Sequence, residues 1–232
     1  MSPQTNPAKG KDTRTQLLDT GLRLFALQGF DAVSTRQLAQ EAGVNIAAIA
    51  YHFGGKRELY RAVLTQLVND TDPVVAPAAA KLRAALKAAG RDKQMLAGVV
   101  TGFVSNILRM FIEDHFMEWR GPLVMREYAM PSEDFDILYE GRIRPLHEIL
   151  TKIVAAASDN PADEERAAVG AHTVMGQILV FGIARVILWR RLGWDGYTPE
   201  RVQIIEETIV QSVLAALGLP SPAGAQVKGD AP

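Results

Sequence analysis

Apolar positions along the 232-residue chain recur three and four apart, the spacing of helices, and nowhere alternate long enough to suggest a sheet. Leu18, Leu22 and Phe25 fall at i, i+4 and i+7 of a first helix that is capped by Asp12 or Thr13 and runs to about Gln28. Gly29 ends that helix, and Phe30 supplies the apolar contact that often follows a glycine cap. Ser34, followed three residues later by Gln37, is a capping-box pattern, in which each side chain satisfies an orphan backbone donor. Leu38, Ala39 and Ala42 then make one small apolar face, and Gly43 stands where a helix end needs positive φ. Val44 plugs the corner. Asn45 is a good N-cap for a second short helix whose buried side carries Ile46 or Ile49 and Phe53.

The pattern continues as helix to the end. Lys56 opens a stripe of Leu59, Tyr60, Val63, Leu64, Leu67 and Val68 that reaches about Asn69, where Pro73 and Pro77 kink or end it. A further helix follows from Pro77 to Ala89. Others run from about Lys93 to Glu113 and from Trp119 to Ala129. The next is capped by Ser132 and bent at Pro145. Asn160-Pro161 reads as the cap and first residue of a long helix to about Leu192, and Thr198-Pro199 starts a last one that ends at Gly218. The expected architecture is all-α: a three-helix head over residues 12–55 and a larger helical bundle over 56–218. A disordered arm (1–11) precedes the head and a disordered tail (219–232) follows the bundle.

Helix, glycine turn, helix is the geometry with which proteins place a second helix in the major groove of DNA. An ordinary helical hairpin in a bundle core fits the same pattern. Charge distribution bears on the choice. The net charge is −1, yet residues 1–62 carry +3 and the remainder −4, so a basic head sits on an acidic body. There is no cysteine, hence no disulfide framework or thiolate metal site. The start lacks the apolar core of a signal peptide, and the most apolar run, Ala171 to Trp189, is interrupted by His172, Gln177 and Arg185. A soluble cytoplasmic protein is the expectation. A helical enzyme finds no support in a serine–histidine–acid order, a glycine-rich phosphate loop or an HExxH motif. His115, His147 and His172 have no ligand neighbour at i, i+4 spacing, so neither metal nor cofactor is expected.

The stretch LFALQGFDAVSTRQLAQEAGVNIAAIAYHFGGKRELY, Leu24 to Tyr60, followed by a helical body of this length, resembles the TetR family of bacterial transcriptional regulators. The second half is similar to the CerR-type (CecR-like) regulatory domain through PLVMREYAMPSEDFD, RIRPLHEIL and RRLGWDGYTPER. The resemblance implies a regulator, a repressor by the family's habit, that binds a palindromic operator as a homodimer and lets go when a small effector enters the C-terminal domain. By motif position Thr35 and Arg36 face phosphate at the start of the positioning helix. Asn45, Ile46, Ala47 and Ala48 form the first turn of the reading helix, nearest the base edges. Tyr51 and His52 match the family's phosphate-contacting aromatic and histidine pair, and Lys56 its phosphate-contacting lysine. Ala50 departs from the tyrosine common there, so a contact made from that position elsewhere is not expected here. So few side chains able to specify bases leave room for shape readout.

Polar and aromatic groups interrupt the body's apolar helices, Glu127 and Trp189 among them, and the candidate effector pocket is Arg109, Trp119, Arg126, His147, His172, Gln177, Phe181 and Arg185. They equally fit a set that pairs internally or faces solvent. The last two helices carry more apolar surface than one monomer's core needs, which suggests a twofold interface through Val174, Ile178, Ile187, Ile205, Ile209 and Val213.

Overall fold

The computed structural model describes residues 7–112 and 119–221, and among them every regular element is helical. The order is α1 (Pro7–Gln28), α2 (Thr35–Glu41), α3 (Ala47–Phe53), α4 (Lys56–Ala89), α5 (Lys93–Ile112) and α6 (Arg120–Ala129). There follow the single turn α7 (Asp136–Leu138), a π-helical turn (Tyr139–Ile143), α8 (Arg144–Ala157), α9 (Glu164–Ile183), α10 (Arg185–Leu192) and α11 (Pro199–Ala216). The helices pack as two compact units. Unit 1 takes the chain to Pro73 together with the segment that ends at Ile143, and unit 2 takes the rest.

Unit 1 is built on α1. Leu17, Leu24 and Phe25 are buried against Leu38 of α2, Ile49 of α3 and Leu59, Tyr60, Val63 and Leu64 of α4. α6 lies along α1 and buries Leu123. The Phe25 and Tyr60 rings meet edge-on at 4.8 Å, and Phe30 packs on both. Unit 2 packs α5 against α8, α9 and α11, and α8 along α9. Its core is Leu96, Val100, Phe103, Val104 and Leu108 of α5 with Ile149 and Ile153 of α8, Ala171 and Ile178 of α9, and Ile209 and Val213 of α11. α9 alone among the described helices has the length and mean hydropathy (1.2) to cross a membrane, and six of its residues are buried in this packing.

Several boundaries differ from expectation. α1 starts at Pro7, inside the expected arm, because proline suits a helix's first turn, where its missing N–H is not needed. Residues 1–6 and 222–232, and His115, lie outside the described residues. α4 runs unbroken through Pro73 and Pro77 rather than ending near Asn69. The helix expected from Ser132 is interrupted by the π-helical turn. Pro145 has no N–H for the Gly141 carbonyl, so the regular ladder cannot continue there. α9 is capped by Asp163, which accepts from the Arg166 N–H at 3.0 Å, and Asn160-Pro161 belongs to the preceding turn. A break at Ala184 separates α10 from α9. Leu219, assigned to the tail, is buried: with Gly218 at φ +61° its N–H returns to the Leu214 carbonyl and closes α11.

Candidate nucleic-acid interface

The helix-turn-helix forms as its residues dictate. Ser34 Oγ accepts from the Gln37 N–H at 3.1 Å. The reciprocal half of the capping box is absent, because Gln37 donates instead to Gln28 of α1 at 3.2 Å. Gly43 adopts φ +66°, and the Val44 N–H turns back to the Ala39 carbonyl, so the corner is a glycine-dependent Schellman turn. Asn45 Oδ1 accepts from the Ala47 N–H at 2.8 Å, which leaves both Asn45 amide donors for DNA. α3 then divides into two faces. Ile49 is buried (2% exposed), while Ile46 (51%), Ala47, Ala50 and Tyr51 (82%) present one continuous exposed side. Ala48 and His52 are half-buried at its edge, with the His52 ring 5.0 Å from that of Tyr51.

The cations around this face are unequally available. Arg36 is exposed and has no ion pair among the described residues, and Thr35 beside it is half-buried. Arg23 is neutralised by Glu41 at 2.7 Å. Arg14 lies over the Phe53 ring at 5.2 Å. Lys56 is held inward: its Nζ donates to the Phe30 and Val33 carbonyls, both at 2.8 Å, and sits 4.2 Å over the Phe30 ring. The ammonium thus clamps the loop between α1 and α2 and retains one N–H for a phosphate.

Sequence reading marked Glu127 as a polar group in need of a partner but missed the network that binds this head to α6 and the loop after it. Tyr60 donates to Glu127, a carboxylate only 1% exposed, whose other oxygen accepts from the Ser132 N–H (3.1 Å) and hydroxyl (3.0 Å). Burial, reinforced by the Glu127 carboxylate, pushes the Tyr60 hydroxyl far above its usual pKa and keeps it a donor. Asp134, 7% exposed, takes Arg61 at 2.8 Å and Arg57 at 3.4 Å, and Arg57 also reaches Glu133 at 2.6 Å. These groups border a cleft of about 810 Å³ within unit 1. The signal in the sequence was two acids, Glu127 and Asp134, flanking the Met130-Pro131 turn. Nothing in their spacing names partners on α4.

The expected effector residues divide between the two units. Trp119 caps α6 in unit 1, and Arg126, also in unit 1, donates to the Leu27 carbonyl at 3.2 Å. Its guanidinium fills the space beside Gly29, where a Cβ would lie 2.8 Å from Nη1. In unit 2, Arg185 donates to the Gly182 carbonyl at 3.1 Å, and the Phe181 carbonyl accepts from Tyr197 at 2.6 Å. Gln177 is half-buried on α9. The His147 and His172 rings approach to 5.8 Å between α8 and α9, and no third acid or histidine joins them among the described residues. Arg109 alone of the expected set lines the cavity of unit 2. This cavity measures about 280 Å³, between the second half of α4, α5 and α8.

Of the residues expected at a twofold interface, all but Ile187 are buried in the chain's own core. Val174, Ile178, Ile205, Ile209 and Val213 are at most 5% exposed within the chain's own core, since α9 and α11 spend those faces on α5 and α8. Ile187 is 73% exposed. With it stand Val169, Val180 and Ile183 on α9, Val186 on α10 and Ile204 on α11.

Comparison with known proteins matches residues 17–63 to the bacterial regulatory proteins of the tetR family and residues 96–219 to the C-terminal domain of the HTH-type transcriptional dual regulator CecR. CecR of Shigella flexneri is 28% identical over 207 residues, 88% of this chain and 92% of that protein. TtgW of Pseudomonas putida, an uncharacterized HTH-type transcriptional regulator, is 40% identical over 57 residues, 25% of this chain and 42% of that protein. Among solved structures, the hemolysin II regulator HlyIIR has a TM-score of 0.53 at 17% identity, covering 89% of this chain and 97% of its own. SCO4454 from Streptomyces coelicolor, a TetR-family regulator, has 0.51 at 20%, covering 90% and 95%.

Proposed function

We infer, from the premise that this chain belongs to the TetR family of bacterial regulatory proteins and carries a CecR-type C-terminal domain, that it binds a palindromic operator as a homodimer and is released by a small molecule held in its C-terminal body. As a member of that family it is a DNA-binding transcriptional regulator. In this reading residues 12–55 read DNA and residues 56–218 hold the effector and the partner subunit. The observation that carries operator binding is the exposed side of α3, where Ile46, Ala47, Ala50 and Tyr51 stand free of their own core. Tyr51, His52, Arg36 and Thr35 meet phosphates. The Asn45 amide and the alanine methyls reach base edges, and with so few hydrogen-bonding groups the DNA's shape carries part of the specificity.

The homodimer rests on the exposed apolar side of α9 and α10, Val180, Ile183, Val186 and Ile187 above all, joined by Ile204 of α11. Two reading helices then meet half-sites about one helical turn apart, or a multiple of it. Repression is the family's common outcome. A second reading, activation at some promoters, is favoured by one observation: the Shigella flexneri relative is named a dual regulator.

The test is binding to DNA upstream of the coding gene against random DNA of equal length, across a salt series. Specific binding that weakens steeply with salt is expected. Equal affinity for both fragments at every salt concentration would overturn the reading.

A further inference from the structure

Within unit 2, the cavity of about 280 Å³ combines apolar walls with a single charged group. Val75, Leu82, Phe103, Ile107, Leu146 and Ile149 supply the walls, and Asn106 and Arg109 are its polar members. Asn106 donates one amide N–H to the Gly102 carbonyl at 2.7 Å, so its Oδ1 and second N–H remain for a ligand. Among the described residues the Arg109 ion pair is a loose one, with Glu206 at 3.8 Å. Glu206 is itself engaged by the Ser105 hydroxyl on α5. Among the described lining residues there is no acid, and the Arg109 guanidinium is their one charge.

We propose that this cavity takes a compact monocarboxylate or similar anion, its apolar body against Phe103, Leu82 and Ile149 and its anionic end on Arg109. The guanidinium fork matches a carboxylate with two parallel N–H donors, which a neutral polar group cannot use equally well. The size sets the second limit. The volume lies at the low end of ligand pockets, so single-ring or short-chain acids fit and polycyclic ones do not. A hydroxyl or amide N–H on the ligand would find the Asn106 Oδ1. The proposal rests on the reading of the body as an effector domain and adds the class of effector.

The full chain is titrated calorimetrically with hexanoate, benzoate and 4-phenylbutyrate, and with hexanamide, benzamide and 4-phenylbutyramide as neutral counterparts of equal shape. Each is also added to the protein bound to its upstream DNA. The acids bind more tightly than their amides by about tenfold, the scale of one charge-assisted pair at a partly exposed site. Arg109→Gln removes that preference, Arg109→Lys restores part of it, and Ala79→Trp, which fills the cavity, abolishes binding of both series. Circular dichroism confirms that each variant folds. Amides that bind as well as acids, acids unaffected by Arg109→Gln, or no binding by any acid overturn the proposal. If an amide binds and releases the DNA, the anion class is wrong and the effector reading stands. If acids bind through Arg109 and the DNA stays bound, the class is right and release by this ligand is wrong.

Discussion

Lys56→Met separates two roles for one ammonium group. The substitution keeps most of the aliphatic stem and deletes the charge. The Phe30 and Val33 carbonyls each lose a donor at 2.8 Å, and the Phe30 ring loses a cation at 4.2 Å. Hydrogen bonds from a charged donor contribute about 1.5–3 kcal/mol each, and partial exposure places these at the lower end. With a cation–π contact of about 0.5–1 kcal/mol, the loss comes to roughly 3.5–4 kcal/mol for the loop between α1 and α2. That loop sets the position of Ser34 and hence the start of α2, so a looser loop lowers affinity for every DNA sequence.

A lysine whose only task is a phosphate contact behaves otherwise. Its removal leaves the loop intact and lowers the salt slope of binding by about 0.9 per contact, or about 1.8 for a homodimer. The measurements are amide hydrogen exchange over residues 29–38 and operator affinity across a salt series. Lys56→Met is expected to speed exchange at the Gly29 and Leu38 amides, now bonded to Phe25 and Ser34. Affinity is expected to fall while the salt slope changes by less than about 0.9. Unchanged exchange together with a slope lower by about 1.8 would refute the clamp and restore the phosphate role.

Asn45 divides the same way. Asn45→Ser keeps an oxygen that can cap α3 and removes the amide donors, so thermal stability should hold while the preferred operator sequence changes. Asn45→Ala should in addition cost about 1 kcal/mol, and an unchanged sequence preference in both variants would exclude base contact. Ile187→Glu and Val180→Glu should give folded monomers by light scattering, whereas Ile178→Glu, placed in the core, should compromise folding. A persistent dimer in the double exposed variant would move the interface elsewhere. Burial, aided by neighbouring His172, lowers the His147 pKa below the 6.5 of the unfolded chain. The unfolded chain therefore binds the proton first, and stability falls as pH drops through about 6.5 until the lower folded value is passed. Denaturant midpoints from pH 8 to 5 should show that decline and lose part of it in His147→Asn. An identical profile in the variant would assign the decline to other groups.

What could be read from the sequence was what neighbouring residues decide among themselves. The Ser34 cap, the Gly43 turn, the Asn45 cap and the burial of Leu38 and Ile49 each depend on groups within a few positions, and each appears as its residue type requires. Where a local rule had two outcomes, a distant residue chose. Gln37 could close the capping box or reach Gln28 of α1, and it reached α1. Lys56 could point outward to phosphate or inward to two carbonyls some 23 and 26 positions earlier, and it points inward. The body was harder for the same reason. Apolar spacing on α9 and α11 marked both as buried helices, but a helix apolar on more than one side does not say which side the core takes. The core took Val174, Ile178, Ile205 and Ile209 and left Val169, Val180 and Ile183, which share a face by their spacing of 11 and 14 residues, exposed. The network from Tyr60 to Glu127 lies at the limit of this reasoning. Glu127 of α6 is a polar group on a helix that packs inward, and its burial is tolerable because a hydroxyl 67 positions earlier donates to one oxygen while Ser132 donates to the other. Residues of that kind tie the reading head to the helix packed along α1, and they can be recognised only once both ends of the contact are in view.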